Sequence, residues 1–255
     1  MDGRPGRLLG GLRRARNRAS GRDDRPGRRL LPPARLVLSE PLAAWRALEP
    51  PWRECLALAW EAYAADTIPV GAVVVRPDGK VVARGRNRVY DRDAPRGQLA
   101  YSLLAHAEVN ALAQLPPEQR YEDHALFTAL EPCFLCIGAT TLATVGRVRF
   151  AAADPYGGAA RLSVAGANPM LERAAVEVSG PELGPLGALV AVLHAELFLR
   201  RNPAGFVVAS HRRREPALLR AADALLERRV AARAASGASL VDVLPDVWDV
   251  IPGET

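Results

Sequence analysis

Residues 68–87 constrain the fold most. IPVGAVVV (68–75) and VVARGRN (81–87) are two β-branched runs joined by Pro77-Asp78-Gly79-Lys80, a pattern that predicts a β-hairpin. Strand and helix signals then alternate. HAEVNALAQL (106–115) has helical spacing and stops before Pro116, and ALFTAL (125–130) is a short apolar run suited to a buried strand. CFLCIGATTLATVG (133–146) predicts a helix ending at Gly146, followed by strand RVRFAAA (147–153), strand AAVEVS (174–179) and a long helix over 183–201. Upstream, PLAAWRAL is a short helix halted by Pro50 and Pro51, and WRECLALAWEAYAAD places Cys55, Leu56, Ala59, Trp60 and Tyr63 near one helical face. A hairpin followed by alternating helices and strands predicts an α/β protein with a mixed sheet covered by helices.

Charge divides the chain further. The net charge is +6, and Lys80 is the only lysine, so arginine carries the excess. Residues 1–38 mix Arg, Gly and Pro without apolar periodicity. They are expected to be a disordered extension, with a nucleic-acid-binding arm as the functional alternative. Residues 203–255 add one short apolar run (GFVVAS), a charged helix and a tail of little periodicity, read as a C-terminal extension. The domain between them is expected over 39–202. The first 30 residues lack the apolar core of a secretion signal, and the most apolar segment is interrupted by His194 and Glu196. The expected compartment is therefore the cytosol, where thiols stay reduced.

Only three cysteines occur, and two of them, Cys133 and Cys136, follow Pro132 directly. C-x-x-C suits a redox dithiol, half of a metal site or two buried thiols, and taken alone it leaves all three open. His106-Ala107-Glu108 opens the preceding helix, just as the cysteines open theirs. Three ligands, His106, Cys133 and Cys136, would leave one position of a tetrahedral zinc ion open, as catalytic sites do. Glu108 would then stand close enough to exchange protons with a water there.

Together, PVGAVVV, GRN ending at Asn87, AHAEVNAL, LEPCFLC and GRVRFAAADPYGGAA resemble the cytidine and deoxycytidylate deaminase superfamily. The resemblance is nearest to its tRNA adenosine deaminase and guanine deaminase branch and runs from about residue 52 to 202. H-x-E followed by P-C-x-x-C is that superfamily's zinc signature. The resemblance implies a three-layer α/β/α fold around a five-stranded mixed sheet. It implies one Zn2+ per chain on His106, Cys133 and Cys136, with zinc-bound hydroxide as nucleophile and Glu108 as proton shuttle. Asn87 would hydrogen-bond the substrate, the backbone of Ala107 would line the pocket, and a homodimer is expected.

The implied activity is hydrolytic deamination of a nucleobase, nucleoside or related aminated heterocycle. Wobble-adenosine deamination of tRNA is the alternative, and a non-catalytic zinc scaffold is the third reading. The segment from Asn87 to His106 is longer than in the tRNA enzymes it resembles, and the C-terminal extension is additional; both favour a small molecule. A second His-Ala-Glu, at 194–196, lacks a following P-C-x-x-C. It is expected to be structural, with His194 half-buried and Glu196 facing solvent or pairing with an arginine. His124 and His211 are expected at the surface, the latter within a solvated basic run.

Overall fold

The computed structural model describes residues 41–162 and 176–252. The extension expected over residues 1–38 lies outside them. Five strands, β1 (Gly71–Val75), β2 (Val81–Arg86), β3 (Ala125–Leu130), β4 (Arg147–Ala152) and β5 (Glu177–Ser179), form one sheet in the order β2-β1-β3-β4-β5. β1 runs antiparallel to both neighbours, whereas β3, β4 and β5 are parallel. The sheet is therefore mixed, as expected. β1 and β3 are buried at every position, which explains why GAVVV and ALFTAL read as continuous apolar runs without alternation. The hairpin turn uses Gly79 at φ +82° and closes with Arg76 N–H donating to the Lys80 carbonyl at 2.9 Å.

Helices cover both faces. α1 (Pro41–Ala47) leads into α2 (Pro50–Ala64), which packs on one face beside α5 (Gly184–Arg201). α3 (Ala107–Leu112) and α4 (Phe134–Leu142) pack together on the other. Two glycines set how closely the helices approach. A Cβ on Gly71 would lie 2.2 Å from the Cys55 carbonyl oxygen of α2, and one on Gly85 would lie 2.2 Å from the Ala107 carbonyl oxygen of α3. Only hydrogen fits at either contact. Because Ala107 lies between His106 and Glu108, the Gly85 contact sets the depth of both.

The C-terminal region carries more structure than its sequence suggested. GFVVAS continues through the basic run as α6 (Phe206–Arg214), and the expected single charged helix is two, α7 (Pro216–Glu227) and α8 (Val230–Ala235). The break falls at Arg229, whose φ of +54° redirects the chain so that α8 packs against α2. The tail forms α9 (Leu240–Val247), started by a capping box in which Ser239 and Asp242 satisfy each other's backbone amides. Leu244 and Val247 of α9 are buried, and the Trp60 indole donates to the Ala238 carbonyl at 2.8 Å. Residues 203–252 thus pack into the core of the domain.

Gly85→Ala is expected to destabilise the fold by about 1–3 kcal/mol through overpacking, read as a lower urea midpoint. It is also expected to weaken metal retention, because α3 must move outward. An unchanged midpoint would show that α3 does not depend on this contact.

Candidate metal centre and pocket

His106 and Cys133 occupy the N-cap positions of α3 and α4, both with extended backbone and neither with a side-chain capping bond. Their side chains are therefore free to point away from the helix starts. Cys136 lies one turn into α4 and is fully buried. The result is a triangle: Cys133 Sγ lies 3.6 Å from Cys136 Sγ and 3.6 Å from His106 Nδ1, and Cys136 Sγ lies 3.4 Å from the same nitrogen. A sulfur–sulfur separation of 3.6 Å is far from the bonded distance of about 2.05 Å, so the pair is not a disulfide.

The triangle fits zinc. With Zn–S near 2.3 Å and Zn–N near 2.0–2.1 Å, a tetrahedral site places its sulfurs about 3.8 Å apart and sulfur from nitrogen about 3.6 Å apart. Among the described residues these three form the one group of His, Cys, Asp or Glu gathered closely enough to hold a metal ion. Hydrogen bonding to Cys136, and then to His106, holds the Cys133 thiol down at about 4. The same bond to Cys133, together with burial, holds Cys136 well above the usual thiol value. The two sulfurs thus share a proton that a divalent cation would displace.

Glu108 sits two residues beyond His106 and is buried. Burial raises its carboxyl above the usual value, against the opposing pull of His106. Thr128 of β3 donates its hydroxyl to Glu108 Oε1 at 3.0 Å, which fixes the carboxyl. Thr128 was not singled out from sequence. Its signal was a lone hydroxyl in the otherwise apolar ALFTAL. Glu131 was also missed. Its carboxylate accepts from the Asp154 and Ala160 amides, each at 3.1 Å, and so folds the 154–160 loop against the start of α4.

These residues open onto a pocket of about 410 Å³, whose wall includes His106, Glu108, Cys133 and Asn87. Asn87 is 2% exposed. Its Oδ1 accepts from the Thr67 hydroxyl and the Val89 amide, both at 3.0 Å, so its Nδ2 is the group left for the pocket. Ala107 is buried with its carbonyl against Gly85, and it is not part of the pocket wall. The long loop before His106 is ordered by Asn110, which accepts from the Leu99 amide at 2.7 Å and donates to the Arg86 and Leu99 carbonyls at 3.1 Å. That loop brings Leu103 and Leu104 to the pocket.

The second His-Ala-Glu differs from expectation. His194 is buried and lines the same pocket. Glu196 is fully buried, accepting from the Tyr63 hydroxyl at 2.8 Å and from Arg200 Nε at 3.0 Å. It does pair with an arginine, but inside the domain. His211 is also buried, at 1% exposed, because α6 turns it inward against His194. The basic residues after it remain exposed.

Residues 48–152 match the cytidine and deoxycytidylate deaminase zinc-binding region, and the chain belongs to that zinc-binding superfamily. Among its relatives, the tRNA-specific adenosine deaminase of Agrobacterium fabrum is 33% identical over 102 residues, covering 39% of this chain and 61% of that protein. The tRNA(Ile)-lysidine synthase of Deinococcus radiodurans is 37% identical over 109 residues, covering 42% of this chain and 17% of that protein. The chain thus spans less than two thirds of either relative. A solved structure from work on A-to-I editing by tRNA:A34 deaminases is 30% identical, covers 50% of this chain and 94% of its own, and has a TM-score of 0.42. Bacillus subtilis guanine deaminase is 34% identical, covering 39% of this chain and 60% of its own, with a TM-score of 0.33.

The buried histidines predict an acid dependence. Burial holds His194 down to about 4, against the pull of Asp154, and lowers His211 as well. An imidazole depressed by folding binds its proton more readily once unfolded. Its contribution is therefore complete above the unfolded value of about 6.5 and is lost as pH falls from there toward 4. The Tm is expected to fall across that window, and more shallowly when His194 and His211 are both replaced by Phe. An equal slope in the double variant would contradict this.

Proposed function

We propose that the chain is a zinc-dependent hydrolytic deaminase that releases ammonia from a nucleobase, a nucleoside or a related aminated heterocycle. The observation that carries this reading is the juxtaposition of the His106, Cys133 and Cys136 donors with the buried Glu108 carboxyl beside one pocket, which His106, Cys133 and Glu108 line. His106, Cys133 and Cys136 would hold zinc, which when bound activates water for attack. Glu108 takes a proton from the attacking water. It delivers a proton to the ring nitrogen beside the aminated carbon, then one to the leaving amine. Burial favours this role, because a carboxyl raised in this way holds a proton closer to neutral pH. Asn87 Nδ2 would donate to the substrate and orient its ring.

A small substrate is favoured because the pocket wall draws on the long loop, through Leu103 and Leu104, and on α6, through Val207. The second reading is tRNA adenosine deamination, favoured by the identity to the Agrobacterium fabrum enzyme. No helix among the described residues is long and apolar enough to cross a membrane. A reducing compartment such as the cytosol would keep the two thiols available to metal. A homodimer is supported by exposed apolar side chains at the pocket mouth, Leu103 at 80% and Phe134 at 74%.

Glu108→Ala is expected to keep zinc, measured by elemental analysis, and to lose ammonia release by at least a hundredfold, the lower end of general acid–base effects (about 10²–10⁴-fold). The substrates would be free bases, nucleosides and an anticodon stem-loop with adenosine at the wobble position. Full activity in the variant would remove Glu108 from the chemistry. Release from the stem-loop alone would select the tRNA reading.

A further inference from the structure

The pocket has two sides of different origin. His106, Glu108 and Cys133 come from α3 and α4, on one face of the sheet. His194 and Phe198 come from α5, which packs on the other face, and Val207 comes from α6. His194 is 6% exposed, lines the pocket and makes no hydrogen bond to any described residue. Buried polar groups almost always have a partner. The protein supplies His194 with packing instead. Its ring lies 4.9 Å from Phe198 and 5.9 Å from His211, the latter nearly perpendicular at 82°. His211 is itself buried with neither ring nitrogen partnered. The unpartnered nitrogens of His211 are costly to keep, whereas the His194 ring beside it opens onto the pocket, where a ligand can reach it.

The geometry points to His194 as a substrate-specificity residue that gives one hydrogen bond to an uncharged polar atom of the bound heterocycle, on the side away from the metal donors. This rests on the deaminase reading and narrows it. A neutral imidazole offers one donor and one acceptor, so it suits a ring N–H, a ring nitrogen or a carbonyl oxygen. It does not suit a phosphate, which calls for cationic or multiple donors. The groups around His194 point the same way: the Asp154 carboxyl, from the loop after β4, lines the same pocket, and His211 on α6 is buried against the His194 ring. The substrate class is thus a free base or nucleoside rather than a nucleotide. The second His-Ala-Glu, inert as a metal motif, supplies this contact through its histidine alone. α6 of the C-terminal region holds it in place by packing His211 against it and by tying Arg214 to the Pro155 carbonyl at 3.2 Å.

The test uses zinc-loaded full-length chain in a Glu108→Gln background, so that ligand binds without turnover. Calorimetry would measure adenine, guanine, cytosine, their nucleosides and the corresponding monophosphates. His194→Phe keeps the packing and removes both nitrogens; His194→Gln keeps a donor and an acceptor. The expected result is binding of at least one base or nucleoside, weakened roughly tenfold by Phe, restored to within about threefold by Gln, and no tighter for any monophosphate. Equal binding by the Phe variant, or tighter binding of a monophosphate, overturns the inference. Failure of the parent protein to bind any base or nucleoside also overturns it. Ammonia release from the stem-loop by the chain with Glu108 intact then shows whether the deaminase reading survives. Thermal melts of each variant separate loss of contact from loss of fold.

Discussion

The approach of α3 to the sheet at Gly85 governs where the reactive groups stand. A helix can come this close only where the strand beneath it presents hydrogen. The contact falls on the Ala107 carbonyl, so the residue before it and the residue after it are both set by one backbone meeting. His106 is turned toward the cysteines, and Glu108 is turned into the buried space where Thr128 receives it. The parallel pair β3 and β4 does the same for the other half of the centre. β3 ends at Leu130, Glu131 donates its amide to the Ala152 carbonyl at 2.7 Å, and α4 starts at once with Cys133. Two helix starts beside neighbouring strand ends thereby produce a three-donor triangle without further machinery.

The electrostatics follow from that placement. Two sulfurs, an imidazole and a carboxyl crowd into one partly buried volume, so they cannot all carry their ordinary charges. Cys133 gives up its proton readily while Cys136 keeps one, and Glu108 holds its proton more tightly than an exposed carboxyl would. Such strained protonation suits a divalent cation, which removes the shared proton and restores balance. It also suits a carboxyl that must gain and lose protons during a single turnover.

Much of this was legible in the sequence, for stated reasons. The hairpin, the buried strand ALFTAL and the helix starts at His106 and Cys133 are local patterns of apolar period and proline punctuation, and local patterns survive tertiary context. The gathering of His106, Cys133 and Cys136 was legible through resemblance, because H-x-E followed by P-C-x-x-C is the zinc signature of the superfamily the chain resembles. The contributions of Thr128 and Glu131 were hidden, since each depends on which strand lies beside which. The C-terminal region was misread for two different reasons. The break at Arg229 comes from a left-handed residue with no glycine to announce it. The start of α9 was announced, by Ser239 and Asp242 in capping-box spacing, within a stretch whose weak periodicity hid the signal. His211 looked like surface because its arginine neighbours are, yet one helical turn carries the chain from solvent to core.

The proposed chemistry depends on His106, Cys133 and Cys136 together holding one zinc ion with a fourth position open to the pocket. X-ray absorption at the zinc edge on protein purified without added metal tests it most directly. The expected first shell has two sulfur neighbours near 2.3 Å and light nitrogen or oxygen neighbours near 2.0–2.1 Å. Cys133→Ser is expected to lower the sulfur count. A first shell of four sulfurs, or protein that carries no zinc and takes up none, would contradict it.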